Sequence, residues 1–228
     1  MYREWSSGLA GAVVWTVTRT ADAGPGRVLP DGCMDLIWSS RTGLLVAGPD
    51  TVAQVTAGPA GERYVGLRLP PGAGPAVVGL PAHELRDLRV PLGALWPVGE
   101  VAELAERVAL HPRPGRVLES VATARLAAAG GPDPLAAPLV AGLAAGRDIA
   151  GAAGALGLGT RQLHRRSLAL FGYGPKTLAR ILRMRRALAL ARAGTPAAEA
   201  AARSGYADQA HLSREVRSLA GVPLGQLL

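Results

Sequence analysis

The chain has 228 residues, with 25 Lys+Arg against 17 Asp+Glu and a single cysteine. That length supports one large domain or two modest ones with their own cores, and the lone cysteine excludes an intrachain disulfide framework and a cysteine-based zinc site. The charge is uneven: residues 1–146 hold 12 Lys+Arg and 13 Asp+Glu, whereas residues 147–228 hold 13 and 4, so the second part calls for a polyanion, either nucleic acid or an anionic membrane surface.

The start, MYREWSSGLAGAVVW, lacks a cationic segment followed by a clean apolar run, and no later run reaches ~18 apolar residues. The expectation is a cytoplasmic protein with no membrane partner. Short apolar or alternating runs at Ala12–Thr18, Cys33–Trp38, Leu44–Ala47, Thr51–Val55 and Tyr64–Leu69, separated by Gly, Pro and Asp, predict strands of a small sandwich or barrel. In the Cys33 run, Cys33, Asp35 and Ile37 share one face, and Met34, Leu36 and Trp38 the other. Asp35 and Arg68 then form either a structural ion pair or a pair that orients a polar effector, with Trp15, Cys33 and Trp38 as further candidates for the cavity wall. Cys33 reads as a small core residue rather than a redox sensor, because no cation or histidine beside it in sequence lowers its pKa.

From Pro75 the chain reads as irregular, with one helical turn in LPAHELRDLRVPL. Helical spacing returns at Glu100–Leu110 and Gly115–Ala129, an antiparallel hairpin broken by HPRP and a candidate dimerisation element. The stretch GGPDP, residues 130–134, marks a boundary. Beyond it helices are expected at Leu135–Ala145, Asp148–Leu156, Thr160–Phe171, Pro175–Ala193, Pro196–Ser204 and Asp208–Ala220.

Two of these pairs repeat one design. Ala153 precedes Gly157 by four residues, as Ala201 precedes Gly205, and each glycine is followed at similar distances by Leu163, Arg165 and Gly172 or by Leu212, Arg214 and Gly221. A small residue at a tight turn, a glycine in it and an amphipathic helix after it describe a helix-turn-helix. In the second copy Leu212, Val216 and Leu219 line one side, while Ala210, Arg214 and Arg217 line the other, with Asp208 as amino cap and Gly221 with Pro223 as stop. In the first, Leu163, Leu170 and Phe171 face inward, Arg161 and Arg165 outward, and Gln162 and His164 flank them. Arg and Gln are side chains that read guanine and adenine in the major groove.

Residues 133–228 resemble the DNA-binding domain of AraC/XylS-type transcription regulators, through GYADQAHLSREVRSLAGVP and the connecting FGYGPKTLARILRMRRAL. The resemblance implies seven helices, two helix-turn-helix units and binding of double-stranded promoter DNA. It places Arg161, His164 and Arg165 on the first reading helix and Gln209, Ala210 and Arg214 on the second, with Lys176 and His211 added to the DNA-contacting set. Ser167, Leu212 and Val216 depart from the usual inner aromatics, and the last helix is short. YREW, LPDGCMDLIW and YVGLRLPPG resemble an uncharacterised, cupin-like amino-terminal domain of some such regulators, implying effector sensing or dimerisation.

The resulting fold class is α+β: a β-rich domain over 1–98, a helical connector over 99–130, and an all-α domain over 131–228 with helix-turn-helix units at about 148–171 and 196–220 joined by helix 175–193. The function implied is a transcription regulator tuned by a small molecule, without a cofactor, partnered by a second copy and, if an activator, by RNA polymerase. Two other readings stand beside it: a metal- or cofactor-dependent enzyme domain fused to a DNA-binding domain, and a DNA-binding protein with no sensory role. Only His83 and His111 lie outside the helical part, far apart, and no Ser/His/Asp signature, phosphate loop or metal-spaced cluster is present, so no enzyme is expected.

Overall fold

The computed structural model describes residues 2–22 and 24–228. Six antiparallel strands form one sheet in the order β1 (Tyr2–Ser6), β2 (Val13–Thr18), β7 (Arg63–Leu69), β4 (Met34–Ser39), β5 (Gly43–Ala47), β8 (Arg89–Pro91). A separate ribbon pairs β3 (Gly26–Val28) with β6 (Gln54–Thr56). The sandwich or barrel expected from sequence thus takes the form of one sheet and one ribbon.

Alternation in β4 sends Met34, Leu36 and Trp38 into a core with Val14, Val65, Leu67 and Leu69. That core is closed by α2 (Val98–Leu110) and α3 (Pro114–Ala128), through Leu104, Val108, Val117, Leu118, Ala122 and Leu126. Gly115 permits the approach of α3: a Cβ there would stand 2.3 Å from Val14 Cγ1. The hairpin expected as a connector is therefore the cover of the sheet. Those six apolar residues are spent on this core, whereas Val98 and Leu110, at the two ends of α2, are 74% and 76% exposed, and Glu103, Glu106, Arg107, Ser120 and Thr123 point outward. Leu118 is fully buried, so truncation to alanine there costs about 2–5 kcal/mol.

Glu119 ties the chain's start to the hairpin, accepting from Ser7 Oγ at 2.7 Å and from the Gly8 N–H, with Arg116 at 3.1 Å. Burial alone would push its carboxyl up, but these donors hold it below the ordinary glutamate value.

A second core joins α4 (Ala136–Ala144), α5 (Ile149–Ala155), α6 (Thr160–Phe171), α7 (Pro175–Arg192), α8 (Ala197–Arg203) and α9 (Gln209–Ala220). Leu163, Phe171, Leu178, Ile181, Met184, Leu212 and Val216 fill it. Sequence patterning missed β1, β3, β8 and the short α1 (Gly74–Val78), and the run expected at Thr51–Val55 pairs only from Gln54. The final helix is a single 3-10 turn, Leu224–Gln226.

The two cores meet at defined points. Gly72, at φ 87°, lies where a Cβ would be 2.6 Å from Ala136 Cβ and 3.1 Å from Phe171, and Ala53 N–H donates to Leu219 O at 2.7 Å. Two arginines of the sheet half donate to the carboxyl ends of α6 and α9: Arg86 Nη1 to Gly172 O at 3.3 Å, and Arg27 Nη1 to Ala220 O at 2.8 Å. Cations there complement the partial negative charge of a helix end.

Candidate nucleic-acid interface and sheet-face site

The duplicated design is present as geometry. Ala153 and Ala201 are buried, Gly157 and Gly205 take positive φ of 65° and 78°, and Leu158 and Tyr206 N–H donate back to Ala153 O and Ala201 O. Both following helices end on left-handed glycines, Gly172 at 82° and Gly221 at 72°. The starts differ. Asp208 Oδ1 accepts from His211 N–H at 2.6 Å, whereas α6 begins at Gly159, whose N–H donates to Gln162 Oε1 at 2.9 Å.

On α6, Arg161, His164 and Arg165 are exposed. On α9, Gln209, Ala210, Arg214 and Arg217 are exposed, opposite buried Leu212, Val216 and Leu219. Helix α7 spans 18 residues, about 27 Å at 1.5 Å per residue, between the two units. Two residues of the expected set have other duties. Gln162 gives its amide oxygen to the α6 cap, and His211 packs edge-on against Tyr206 at 5.2 Å. Ser167, in place of an aromatic, is satisfied by donating to Tyr173 O at 2.8 Å.

Three neighbouring arginines of α7 separate into different uses. Arg183 faces Glu215 at 3.7 Å and lies over Tyr206, Arg185 reaches Asp31 of the sheet half at 3.8 Å, and Arg186 is exposed. Lys176 is exposed at the head of the helix.

On the sheet face turned away from α2 and α3, Trp15, Asp35 and Arg68 come together. Trp15 lies flat on Gly66, where a Cβ would be 2.1 Å from its ring, and Nε1 donates to Asp35 Oδ1 at 2.6 Å. Arg68 Nε stands 3.5 Å from Asp31 and 3.6 Å from Asp35 and has no hydrogen-bond partner among the described residues. Burial pushes the Asp35 carboxyl above the ordinary value while Arg68 opposes it. Tyr2, half exposed, stacks on Trp15 at 6.4 Å, and burial pushes its hydroxyl up to about 12. Sequence reasoning missed Tyr2 and Asp31; only the strand pairing of Tyr2 with Val17 and the turn at Gly32 (φ 84°) bring them in.

Trp38 does not belong with these residues. It sits in the core on the opposite face, with Arg63 6.0 Å from its ring, because β4 alternates sides at each residue. Cys33 sits beside Asp31, whose Oδ1 accepts its N–H, and burial pushes its thiol well up.

No helix among the described residues is long and apolar enough to cross a membrane, and no group of three or more His, Cys, Asp or Glu among them is placed to hold a metal. Two helix-turn-helix units on one rigid helix, behind a sheet half, define a two-part helix-turn-helix protein. Comparison with known families gives the particulars: residues 152–228 match the helix-turn-helix domain family and residues 12–91 a domain of unknown function, DUF6597. The chain carries a helix-turn-helix domain behind a DUF6597 domain.

No curated protein sequence matches the chain. Among solved structures it is similar to ToxT of Vibrio cholerae. A lysine-to-alanine variant in apo form shares 12% identity at a TM-score of 0.50, over 98% of this chain and 100% of that one. ToxT at 1.65 Å resolution shares 11% at 0.48, over 99% and 97%. ToxT bound to an unsaturated fatty acid shares 12% at 0.45, over 94% and 93%. The first of these likenesses shows a common fold.

Proposed function

We propose that the protein is a sequence-specific, AraC-type transcription regulator acting in the cytoplasm on double-stranded promoter DNA, and not an enzyme. The observation that carries this reading is the pair of outward arginines on each of two tandem reading helices, Arg161 with Arg165 and Arg214 with Arg217, all exposed. Arginine and backbone amides at phosphates supply affinity, and Arg161, Arg165, Gln209 and Arg214 supply specificity. Residues 131–228 are the DNA-binding part. Residues 1–98 and the hairpin of 99–130, which shares their core, are the sensing part.

The sensing reading rests on the Trp15, Asp35, Arg68 and Asp31 cluster: the stacked Tyr2 and Trp15 rings beside an arginine shared between two carboxylates at 3.5 and 3.6 Å suit a small polar effector. A homodimer through the hairpin and a contact with RNA polymerase at activated promoters extend the proposal. The outward side of the hairpin combines charged Glu103, Glu106 and Arg107 with exposed Val98 and Leu110, and sedimentation at tens of micromolar decides whether it pairs two copies.

Genome footprinting followed by anisotropy titration tests the central reading. The expected sites carry two subsites about one turn, roughly 10 bp, apart. Binding to recovered sites no tighter than to scrambled duplex at matched salt would overturn it.

A further inference from the structure

Between the α4–α5 loop, the outer side of α7 and the α8–α9 pair lies a cleft of about 700 Å³. It contains none of the four outward arginines of the reading helices. Five cations line it: Arg147, Lys176, Arg180, Arg183 and Arg186. Its two carboxylates are already engaged, Glu215 with Arg180 at 2.8 Å and Arg183 at 3.7 Å, and Asp148 in capping α5 through Gly151 N–H. The cleft therefore holds more positive charge than its own acids neutralise, which raises the affinity for an anion placed among them.

A second observation is independent of charge. Ser204, 6% exposed and on the cleft wall, has a hydroxyl with no hydrogen-bond partner among the described residues, and the same holds for Nε of Arg183, which also lines the cleft. Buried polar groups are rarely left unpaired, and two at one cleft mark a place where an acceptor is missing. Leu143, Ile149 and Ala179 add an apolar part to the lining.

From this geometry we propose that the cleft binds a phosphate group, with its oxygens accepting from Ser204, Arg183, Arg186 and Lys176. Several cations against two engaged carboxylates favour a dianion, and three acceptor oxygens match the spread of donors better than the two of a carboxylate. The apolar part of the lining gives the organic part of a phosphate ester a place to lie. A phosphodiester of bound DNA is the other source of the same chemistry. The proposal stands whether or not the sheet face binds an effector.

The test is calorimetric titration of the full chain with pyrophosphate at ionic strength held constant with sodium chloride, repeated with saturating duplex. The wild type is expected to bind. Ser204→Ala, which removes only an unpartnered hydroxyl, and Arg186→Gln are each expected to weaken binding about tenfold, in line with loss of a charge-assisted hydrogen bond. Arg107→Gln, remote on α2, is the control for net charge and is expected to change nothing.

If the source is a free ester, pyrophosphate binds the DNA-loaded protein equally well and Arg186→Gln keeps its DNA affinity. If the source is DNA, duplex and pyrophosphate compete, and Arg186→Gln weakens all sequences alike with a shallower salt dependence. The proposal is overturned if wild type shows no binding beyond the chloride control while Arg183→Gln/Arg186→Gln keeps full DNA affinity. It is equally overturned if Arg107→Gln weakens binding as much as Arg186→Gln does.

Discussion

Arg27 and Arg86 hold the carboxyl ends of the two reading helices to the sheet half, so removing both should loosen docking without unfolding either core. Each is an exposed cation donating to a helix-terminal carbonyl, at 2.8 Å for Arg27 and 3.3 Å for Arg86, a contact worth about 1 kcal/mol. Together they amount to about 2 kcal/mol, or roughly a thirtyfold rise in the population of the undocked state. Ala53 N–H, hydrogen-bonded to Leu219 O across the junction, reports that opening directly through its hydrogen exchange. In Arg27→Ala/Arg86→Ala its exchange should accelerate by about thirtyfold, with Arg27→Ala alone contributing the larger share, whereas amides of Ile181 and Met184 in the helical core keep their protection. Unchanged exchange at Ala53, or acceleration equal at Ala53 and Met184, refutes the clamp.

Replacing Arg165 or Arg214 by alanine should cost about 1–3 kcal/mol on the specific site and relax preference at that subsite, while Arg217→Ala should weaken all sequences alike, both read by anisotropy at matched salt. Equal losses on specific and random duplex would make Arg165 and Arg214 phosphate anchors. Burial raises the Asp35 carboxyl above its ordinary value of 3.8, so the native state binds the extra proton; the stability it contributes is full below that value and is lost as pH rises through the raised one. Asp35→Asn keeps an acceptor for Trp15 and should flatten that slope in urea titrations. A loss of about 3 kcal/mol at pH 7 would instead show that the Arg68 pair outweighs the desolvation cost. An effector on the sheet face should quench tryptophan fluorescence in Trp38→Phe but not in Trp15→Phe, because Trp38 lies across the sheet; the reverse would move the site into the core.

The helical half was legible because its signals are local. Asp208, Gly157, Gly205 and Gly221 act within one turn of where they stand, and the 3.6-residue spacing of Leu212, Val216 and Leu219 fixes their helix face. The site on the sheet was only partly legible. Alternation puts Asp35 and Arg68 on one face and Trp38 on the other, where it packs into the core. Tyr2 and Asp31 depend on pairing and packing across long separations, and β1 and β8 carry too little apolar alternation to announce themselves. Gln162 reads as a base-contacting side chain from its position alone. Its use as a cap follows only from Gly159, a residue with no side chain to cap the helix itself.

Asp31 stands between the sheet-face cluster and α7, and it is shared: Arg68 approaches it at 3.5 Å and Arg185 at 3.8 Å. One carboxylate at those distances completes neither contact, so a ligand that draws Arg68 toward itself leaves Asp31 to close on Arg185 and tightens the sheet half against the helix that spaces the two reading helices. Ligand and DNA affinities would then be coupled through a single ion pair, and the coupling must act equally in both directions. Arg185→Ala should leave each affinity, measured alone, changed by less than about threefold while abolishing the change that ligand makes in DNA affinity, a change typically about 5- to 150-fold in coupled systems. Anisotropy titrations with and without saturating ligand read both quantities. A ligand effect in Arg185→Ala equal to that of the wild type would exclude this route, and would leave the Arg27 and Arg86 contacts at the ends of α6 and α9 to carry the signal.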